Sequence, residues 1–454
     1  MRSASSDLLK IFQAGLARVD PYKMMIDHIH LEGDRLVVAF DDQRHEVDLG
    51  GVSRILVLGG GKASVRMARA VEAILGDRIG GGLIATKYGH AEPLSHIEVI
   101  EAGHPGPDAN SVLAARRLME LASAADEHCL IITLISGGGS ALLCAPFEDP
   151  HTGTSLSLGE QQAINRELLA SGADIGEINC LRKHLSAIKG GRLLQLMAPA
   201  RSLNFILSDV VGDRLDTIAS GLTSPDETSF AQALAVIDKY ALKDKVPATA
   251  LRILTLGAEG RIAETVKLGD PATALASNIL IGTNLAALLA ARDKGRALGY
   301  HCAVLTSAIT GEAREVAKVL YGIARDVRGT DLLVRKPALV IAGGETVVRL
   351  HGTGKGGRNQ EMALAFLAEL AKDELGGRGI TFLSASTDGS DGPTDAAGAY
   401  ASAEGLAAAQ AAGLSIDAFL ANNDSYSFFD TIGQLVKTGP TMTNVCDLHM
   451  VLIS

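Results

Sequence analysis

Short apolar runs that end at glycines and lead into helical patterns recur along this chain of 454 residues. Residues 54–58 precede Gly59-Gly60-Gly61-Lys62, and residues 129–135 precede Ser136-Gly137-Gly138-Gly139-Ser140. Apolar runs of this length are typical of buried strands in a parallel sheet, and their alternation with helices indicates βαβ units. The alternation therefore predicts an α/β fold, with mainly parallel or mixed sheets flanked by helices.

The same patterns predict individual elements along the whole chain. We expect strands at residues 54–58, 82–85, 97–100, 129–135, 203–207, 279–281, 303–305, 338–341, 380–383 and 448–453. We expect helices at residues 6–18, 22–29, 63–75, 159–171, 175–197, 284–298, 312–327, 358–371 and 402–412.

The stretch around residues 221–250 is irregular and contains prolines, which indicates a domain boundary. We therefore expect a Rossmann-like α/β domain at residues 1–245 and a second α/β domain at residues 246–454. The final strand is expected either on a sheet edge or back in the first domain. Because open α/β sheets bind ligands at the carboxyl ends of their strands, we expect the active site in the cleft between the domains.

Composition narrows the function. The net charge of −10 and the aromatic content of 4% disfavour nucleic acids and anionic membranes as partners. The five cysteines form no CxxC pair, which favours reduced core thiols and a reducing compartment. No stretch approaches about 18 apolar residues and no leader pattern is visible, so we expect a soluble, cytoplasmic protein.

A third glycine-rich turn, Gly354-Lys355-Gly356-Gly357-Arg358, runs into a helical pattern. Exposed backbone N–H groups and the positive end of a helix dipole suit a bound anion, and Lys355 and Arg358 add fixed cations. Lys62 follows the first turn in the same way. These turns indicate phosphate or carboxylate chemistry, although Lys62 could be a solvated residue and Ser136–Ser140 a plain tight turn.

Three common site patterns are absent. The dinucleotide fingerprint GxGxxG fails where Ser64 replaces its third glycine, and the next strand ends at Lys87 without an acid for a ribose hydroxyl. This weakens an NAD site, although Lys87 would tolerate an NADP phosphate. Neither a P-loop nor the GxSxG elbow of serine hydrolases is present.

Carboxylates follow two of the expected strands. Asp209 and Asp213 come after residues 203–207, where they could bind Mg²⁺ or act as turn and capping residues. Asp388 and Asp391 lie in a glycine-rich segment after residues 380–383. We favour a general-base or magnesium role for one of them over a calcium loop or a plain turn.

Basic residues concentrate between positions 182 and 192, where Arg182, Lys183, Lys189 and Arg192 lie. Such a group is usually solvated, but in an acidic chain it favours an anionic substrate. His104, in the rigid segment Gly103-His104-Pro105, fits either a loop scaffold or a site.

Together these strings resemble the glycerate 2-kinase family, whose members have a nucleotide-binding-like N-terminal domain and a C-terminal MOFRL domain. The resemblance covers the whole chain in order. It rests on Gly59–Ala63, Gly103–Pro105 with Pro107-Asp108, Ser136–Leu143, Arg182–Ser186 with Lys189–Gly191, Leu207–Val210 with Gly212-Asp213, Gly343–Thr346, Gly356–Glu361, Thr387–Gly389 with Asp391-Gly392, and Thr438–Thr441 with Thr443–Val445. One departure is Leu222, where the family usually has proline.

The resemblance implies ATP-dependent phosphorylation of D-glycerate to 2-phosphoglycerate with Mg²⁺. It implies a catalytic centre at Lys62 and Arg358, to which we add Asp209 and Asp388. The expected nucleotide- and substrate-binding residues are Gly60, Gly61, His104, Ser136, Gly137, Gly138, Gly139, Ser140, Lys189, Asp213, Gly344, Glu345, Lys355, Gly357, Asn359 and Asp391.

Three hypotheses remain open on the sequence. The first is a glycerate 2-kinase acting as a monomer or homodimer. The second is an NAD(P)H-dependent hydroxypyruvate reductase, a label that members of the family have carried. The third is a non-enzymatic sensor of anionic metabolites.

Overall fold

The computed structural model describes residues 3–40 and 43–454. The strands are β1 (Ile29–Glu32), β2 (Arg35–Phe40), β3 (Gln43–Asp48), β4 (Arg54–Gly60), β5 (Ile79–Lys87), β6 (Glu98–Ala102), β7 (Cys129–Ile135), β8 (Glu148–Asp149), β9 (Thr154–Ser155), β10 (Arg201–Leu207), β11 (Ala276–Gly282), β12 (His301–Val304), β13 (Ala338–Gly344), β14 (Ile380–Ser386), β15 (Gly398–Ser402), β16 (Leu435–Val436) and β17 (Asp447–Ile453).

Helices connect most of these strands. They are α1 (Ala4–Arg18), α2 (Pro21–His28), α3 (Ser64–Leu75), α4 (Ala109–Ser123), α5 (Gly139–Leu142), α6 (Leu158–Ser171), α7 (Ile175–His184), α8 (Arg192–Met197), α9 (Phe230–Lys239), α10 (Ala248–Ala258), α11 (Asn284–Ala297), α12 (Ala313–Thr330), α13 (Arg358–Ala371), α14 (Ala403–Ala411), α15 (Ile416–Ala421) and α16 (Ser425–Thr431). The α/β class predicted from the sequence is confirmed.

The chain divides into two compact units. The parallel-sheet unit comprises residues 21–208 and 213–281, and the mixed-sheet unit comprises residues 3–20, 209–212 and 282–454. The boundary expected at residue 245 thus falls inside the parallel-sheet unit. A single cut in the chain cannot reproduce this division, because each unit is made of separate segments. Helix α1, for example, packs on α11, which lies far away in the sequence.

The parallel-sheet unit is built on a six-stranded sheet in the order β11-β10-β7-β4-β5-β6. The pairs from β10 to β6 are parallel, so the carboxyl ends of β4 and β7 lie side by side at one edge. Strand β11 belongs here, whereas the sequence assigned residues 279–281 to the second half. Its register beside β10 depends on long-range pairing that local patterns do not encode.

Helices α6, α7, α9 and α10 of the same unit share a hydrophobic cluster. The sequence missed α9 and α10 because the prolines near them favoured irregular structure. Helix α9 begins with a capping box in which Ser229 and Gln232 satisfy each other's backbone N–H groups. The antiparallel sheet β1-β2-β3 was also not predicted.

The single helix expected at residues 175–197 is two helices. Gly190 and Gly191 between them adopt φ values of +60° and +78°, which lie in the left-handed region. A Cβ on Gly191 would lie 2.6 Å from the Val266 Cβ. The chain therefore turns sharply between α7 and α8, directly after Lys189.

The mixed-sheet unit has the strand order β12-β13-β17-β14-β15-β16. Strand β17 pairs antiparallel with both β13 and β14, so it lies inside the sheet. Both positions expected for the last strand, a sheet edge and the first domain, are wrong. Its continuous burial from Asp447 to Ile453 follows from this central place. Helix α13 packs on the sheet, where the rings of Phe366 and Phe382 stack at 4.3 Å.

Candidate active site

Two glycine turns at the carboxyl ends of β4 and β7 pack directly on each other. Gly61 has φ +150°, and a Cβ on it would lie 2.0 Å from the Ser136 Oγ. Gly60 and Gly139 also approach closely, since a Cβ on Gly139 would lie 2.9 Å from the Gly60 carbonyl oxygen. Glycines are therefore required at these positions, because a side chain would prevent the close approach of the two turns.

Ser136 holds the two turns together. Its buried hydroxyl accepts a hydrogen bond from the Ala63 N–H at 3.0 Å and lies 3.1 Å from the Ser64 Oγ. The Lys62 N–H donates to the Gly137 carbonyl at 2.9 Å. Ser136 and Gly137 thus fix the start of α3 and the backbone of Lys62.

Lys62, His104 and Gly138 lie together beside the turns. A Cβ on Gly138 would lie 2.9 Å from the His104 Cδ2 and 3.4 Å from the Lys62 Cγ. Burial and the nearby charges of Lys62 and Lys87 lower the pKa of His104 to about 4. His104 is therefore neutral at pH 7, and the structure brings together three residues predicted from separate strings.

Ser140 and Lys189 face a cavity next to this group. Lys189 is 2% exposed, and its ammonium donates to the Ser140 carbonyl at 2.7 Å. The Ser140 Oγ lies 2.9 Å from the Ser220 Oγ. Burial lowers the pKa of Lys189 to about 8. The cavity has a volume of about 600 Å³, and its walls also include His104 and Gly138.

Arg358 opens helix α13 in the mixed-sheet unit and is held by two carboxylates. Its Nε and Nη2 donate to the two oxygens of Asp447 at 2.5 and 3.0 Å, and its Nη1 donates to Glu345 at 2.6 Å. The Asp447 side chain has no exposed surface. Burial lowers the pKa of Arg358, but the hydrogen bonds and charges of Asp447 and Glu345 more than offset this and hold the pKa above its usual range.

The remaining acidic partner of this cluster is more open. Glu345 keeps 44% of its side chain exposed. Partial burial and the neighbouring Asp447 carboxylate raise its pKa, while Arg358 opposes the rise. A Cβ on the adjacent Gly344 would lie 2.2 Å from the Ile309 carbonyl oxygen, so close packing requires this glycine.

Asp391 caps helix α13 from a separate loop. Its two oxygens accept hydrogen bonds from the N–H groups of Asn359 at 3.1 Å and Gln360 at 2.8 Å. The Asn359 side-chain amide also donates to Asp391, and its oxygen accepts from Ser384. Asp391 and Asn359 are both buried. These contacts engage both side chains in holding the start of α13, which disfavours the base, metal or ligand-binding roles expected for Asp391 and Asn359.

The glycines before Arg358 pack closely against Asp391 and Ser425. A Cβ on Gly357 would lie 2.3 Å from the Asp391 Cγ, and one on Gly356 would lie 2.2 Å from the Ser425 Oγ. Lys355 is exposed, and its ammonium lies 4.2 Å from the centre of the Tyr426 ring. Lys355 therefore does not join the Arg358 cluster.

The other acidic residues divide between the units. Asp388 is half-buried and accepts hydrogen bonds from the Ser386 hydroxyl and the Ser390 N–H, both at 2.9 Å. Asp209 belongs to the mixed-sheet unit, and its carbonyl accepts from the Cys446 Sγ at 3.2 Å. Asp213 belongs to the parallel-sheet unit, and burial raises its pKa. The metal role of Asp209 and Asp213 stays a prediction.

One group in these sites was missed by sequence reasoning, and another was noted without its place. Asp447 binds Arg358 bidentately, but the sequence started the last strand one residue later. A carboxylate opening an otherwise apolar strand is the signal that could have found it. Arg182 lines the cavity beside Lys189, whereas Lys183 does not. The sequence listed both as basic residues but gave no signal that only Arg182 faces the cavity.

The described residues contain no group of three or more His, Cys, Asp or Glu side chains placed to hold a metal ion. Across the same residues, no helix is long and apolar enough to cross a membrane.

Comparison with known proteins resolves the family. A profile described as a domain of unknown function, DUF4147, matches residues 7–255, and the MOFRL family profile matches residues 338–447. The D-glycerate 2-kinase of Thermotoga maritima is 40% identical over 403 residues, covering 88% of this chain and 91% of that protein. The chain belongs to the glycerate 2-kinase family.

Names within the glycerate 2-kinase family differ. A protein of Agrobacterium vitis that is 40% identical over 453 residues, covering 99% of this chain and 95% of its own, carries the provisional name hydroxypyruvate reductase. A crystal structure of glycerate kinase from Thermotoga maritima superposes with a TM-score of 0.84 at 36% identity and covers 98% of each chain. The fold and the domain set are therefore those of the family.

Proposed function

We propose that this chain is an ATP-dependent kinase that phosphorylates D-glycerate at the 2-hydroxyl to give 2-phosphoglycerate. The observation that carries the proposal is the pair of interlocked glycine turns beside Lys62 and His104. A turn of this kind at the carboxyl ends of parallel strands suits a bound phosphate or carboxylate. Similarity along nearly the whole chain to a protein named D-glycerate 2-kinase supports the assignment.

Phosphoryl transfer depends mainly on positioning and on neutralising negative charge. We assign Lys62 to the charge of the moving phosphoryl group or of the glycerate carboxylate. Arg358 is assigned to the same task, with its guanidinium oriented in advance by Asp447 and Glu345. Preorganised charges of this kind stabilise the transition state more than mobile ones do.

The proton of the 2-hydroxyl must pass to a base during the transfer. We propose Asp388 for this role, as expected from the sequence, with Asp209 as the alternative. The buried Asp391 is not proposed as the base, because its oxygens accept hydrogen bonds from the first N–H groups of α13.

ATP is the phosphoryl donor in this proposal, and Mg²⁺ is expected to accompany its phosphates. The described residues gather no group of three donors for a resident metal ion. Mg²⁺ prefers a few carboxylates together with substrate phosphates and water. A cytoplasmic location and a monomeric or homodimeric state stay predictions.

The hydroxypyruvate reductase considered from the sequence has only a relative's name in its favour. It would need a nicotinamide cofactor, and strand β5 ends at Lys87 where an acid would bind the ribose hydroxyl. The turn after β4 also departs from the GxGxxG dinucleotide fingerprint, because Ser64 stands at the position of the third glycine. A sensor of anionic metabolites, the third candidate, predicts binding without turnover.

Phosphorus NMR of the reaction products tests the assignment. MgATP and D-glycerate should give ADP and a phosphate ester whose phosphorus signal is split into a doublet by the single proton on C2. A triplet would mean transfer to the 3-hydroxyl. NADPH oxidation with hydroxypyruvate and no ester formation would replace the kinase with the reductase, and ligand binding without either reaction would favour the sensor.

A further inference from the structure

The cavity of the parallel-sheet unit is bordered by three cationic side chains. Arg166 lies on α6, Arg182 lies on α7, and Lys189 lies between α7 and α8, directly before Gly190-Gly191. Arg166 is exposed, Arg182 is half-buried and Lys189 is buried. Burial lowers the pKa of Arg182, and burial together with the nearby Arg182 lowers that of Lys189.

The hydrogen bonds of Arg182 and Lys189 go to neutral partners. The Arg182 Nε donates to the Asn165 side-chain oxygen at 2.9 Å, and the Lys189 ammonium donates to the Ser140 carbonyl. Within residues 3–40 and 43–454, no carboxylate forms an ion pair with Arg166, Arg182 or Lys189. A buried charge without a counter-charge is costly, so folds seldom retain one without a use.

Lys183 and His184, which lie next to Arg182 in sequence, have carboxylate partners. Lys183 forms ion pairs with Asp216 at 3.0 Å and Asp226 at 3.1 Å. His184 lies 3.1 Å from Glu264. Arg192, which does not line the cavity, donates to the backbone carbonyls of Lys183 and Ser186, so a missing carboxylate alone does not mark a ligand site. Arg182 and Lys189 differ from Arg192 because both line the cavity.

We propose that Arg182 and Lys189 bind an anionic group of a small molecule in this cavity, with Arg166 at its rim. The guanidinium of Arg182 suits bidentate contact with a carboxylate or a phosphate, while Lys189 offers a compact charge. The proposal deepens the proposed function and rests on it for the two sources of the anion, the ATP polyphosphate and the glycerate carboxylate. The cavity volume of about 600 Å³ is in the range that accommodates a drug-sized ligand, so either source fits.

Direct binding separates these sources without relying on catalysis. Calorimetric titrations with tripolyphosphate and with D-glycerate would be made on the full chain and on the variants Arg182→Gln and Lys189→Met. We expect one of the two anions to bind and its Kd to rise at least about tenfold in both variants, as for loss of a charge-assisted contact. Tripolyphosphate would identify the nucleotide phosphates, and D-glycerate would identify the carboxylate.

Arg116→Gln is the matched control. It removes the same charge from the same unit, beside a separate cavity of about 520 Å³, and should leave the Kd unchanged. Circular dichroism melting would show that each variant is folded, and Arg182→Lys replaces any Arg182→Gln protein that is not. Unchanged affinity in the variants, or no binding of either anion to the unmodified chain, would overturn the proposal. Kinase activity is measured apart from binding, so each idea can fail alone.

Discussion

Arg358 of the mixed-sheet unit and Arg182 of the parallel-sheet unit carry the same guanidinium in opposite electrostatic surroundings. Arg358 binds Asp447 bidentately and also bonds Glu345, so two carboxylates surround one cation. Arg182 bonds only the Asn165 amide oxygen and lies near the Lys189 ammonium. The first cluster has excess negative charge, and the second has excess positive charge.

The difference separates an oriented cation from an available one. Carboxylates around Arg358 fix its geometry, but an incoming anion must share the guanidinium with them. Arg182 and Lys189 have no such competition among the described carboxylates, so the field in their cavity attracts anions. A glycine turn next to a cation is therefore insufficient evidence of a free anion site.

Chelation should have the largest effect and tests whether the acidic Arg358 cluster needs a resident metal. We expect excess EDTA to abolish turnover and Mg²⁺ to restore it, because the nucleotide phosphates require the cation. The melting temperature of the nucleotide-free protein should not change with EDTA. Full turnover in excess chelator would contradict the metal requirement, and a lower melting temperature would reveal a resident metal.

Replacing Arg358 should have the next largest effect on activity. Arg358→Met should reduce kcat/KM by about 10²–10³, as for the loss of one preorganised charge. It should also lower the free energy of unfolding by about 3–5 kcal/mol, because Asp447 would remain buried without its partner. Steady-state kinetics and urea unfolding measure the two effects.

A second bidentate pair in the same unit provides the control. Arg328 donates to both oxygens of Asp373 at 2.8 Å, and both side chains are largely buried. Arg328→Met should destabilise the protein while leaving kcat/KM nearly unchanged. Equal kinetic losses in Arg328→Met and Arg358→Met would mean that Arg358 acts only through stability.

Two buried lysines test the comparison through stability alone. Lys183→Met leaves Asp216 and Asp226 without their shared cation, so it should cost about 3–5 kcal/mol of unfolding free energy. Lys189→Met removes a buried charge that has no acidic partner, so stability should stay the same or rise. Urea unfolding of both variants measures the contrast. A large loss in Lys189→Met would show that this ammonium stabilises the fold.

Local patterns predicted the elements whose identity depends on nearby residues. Strand β7 was predicted at its observed bounds, because a run of apolar residues ending in glycine has few other interpretations. Helix α13 was also predicted at its bounds, but the reason for its glycines was not. Their close contacts involve Asp391 and Ser425, which lie far away in sequence.

Long-range pairing accounts for the rest. The positions of β11 and β17 in their sheets depend on which strands they pair with. The residues of these two strands contain no local signal for that pairing. Lys183 lies within α7 and meets Asp216 and Asp226, which come from loops beyond β10, whereas Lys189 lies in the segment between α7 and α8. Candidate residues were visible in the sequence, but their partners were not.

Asp391 offers the subtlest test, because it caps the helix that presents Arg358. Burial raises the pKa of Asp391 to about 6, despite hydrogen bonds from the N–H groups of Gln360 and Asn359 that favour the charged form. Its network continues through Asn359 and Ser384 to His449, whose pKa burial lowers to about 4. Both groups titrate in the folded state between about pH 4 and 6, so single stability curves would mix them.

The difference in unfolding free energy between the unmodified chain and Asp391→Asn isolates the carboxyl. A folded pKa above the unfolded value gives stability that is full below about pH 4 and is lost as pH rises through about 6. The advantage of Asp391 over asparagine should therefore shrink by about 1–3 kcal/mol between pH 4 and pH 7. Urea unfolding at several pH values measures it, and His449 cancels because both proteins contain it. An advantage that grew with pH would mean that the N–H groups of α13 outweigh burial, so that the charged carboxylate is the favoured cap.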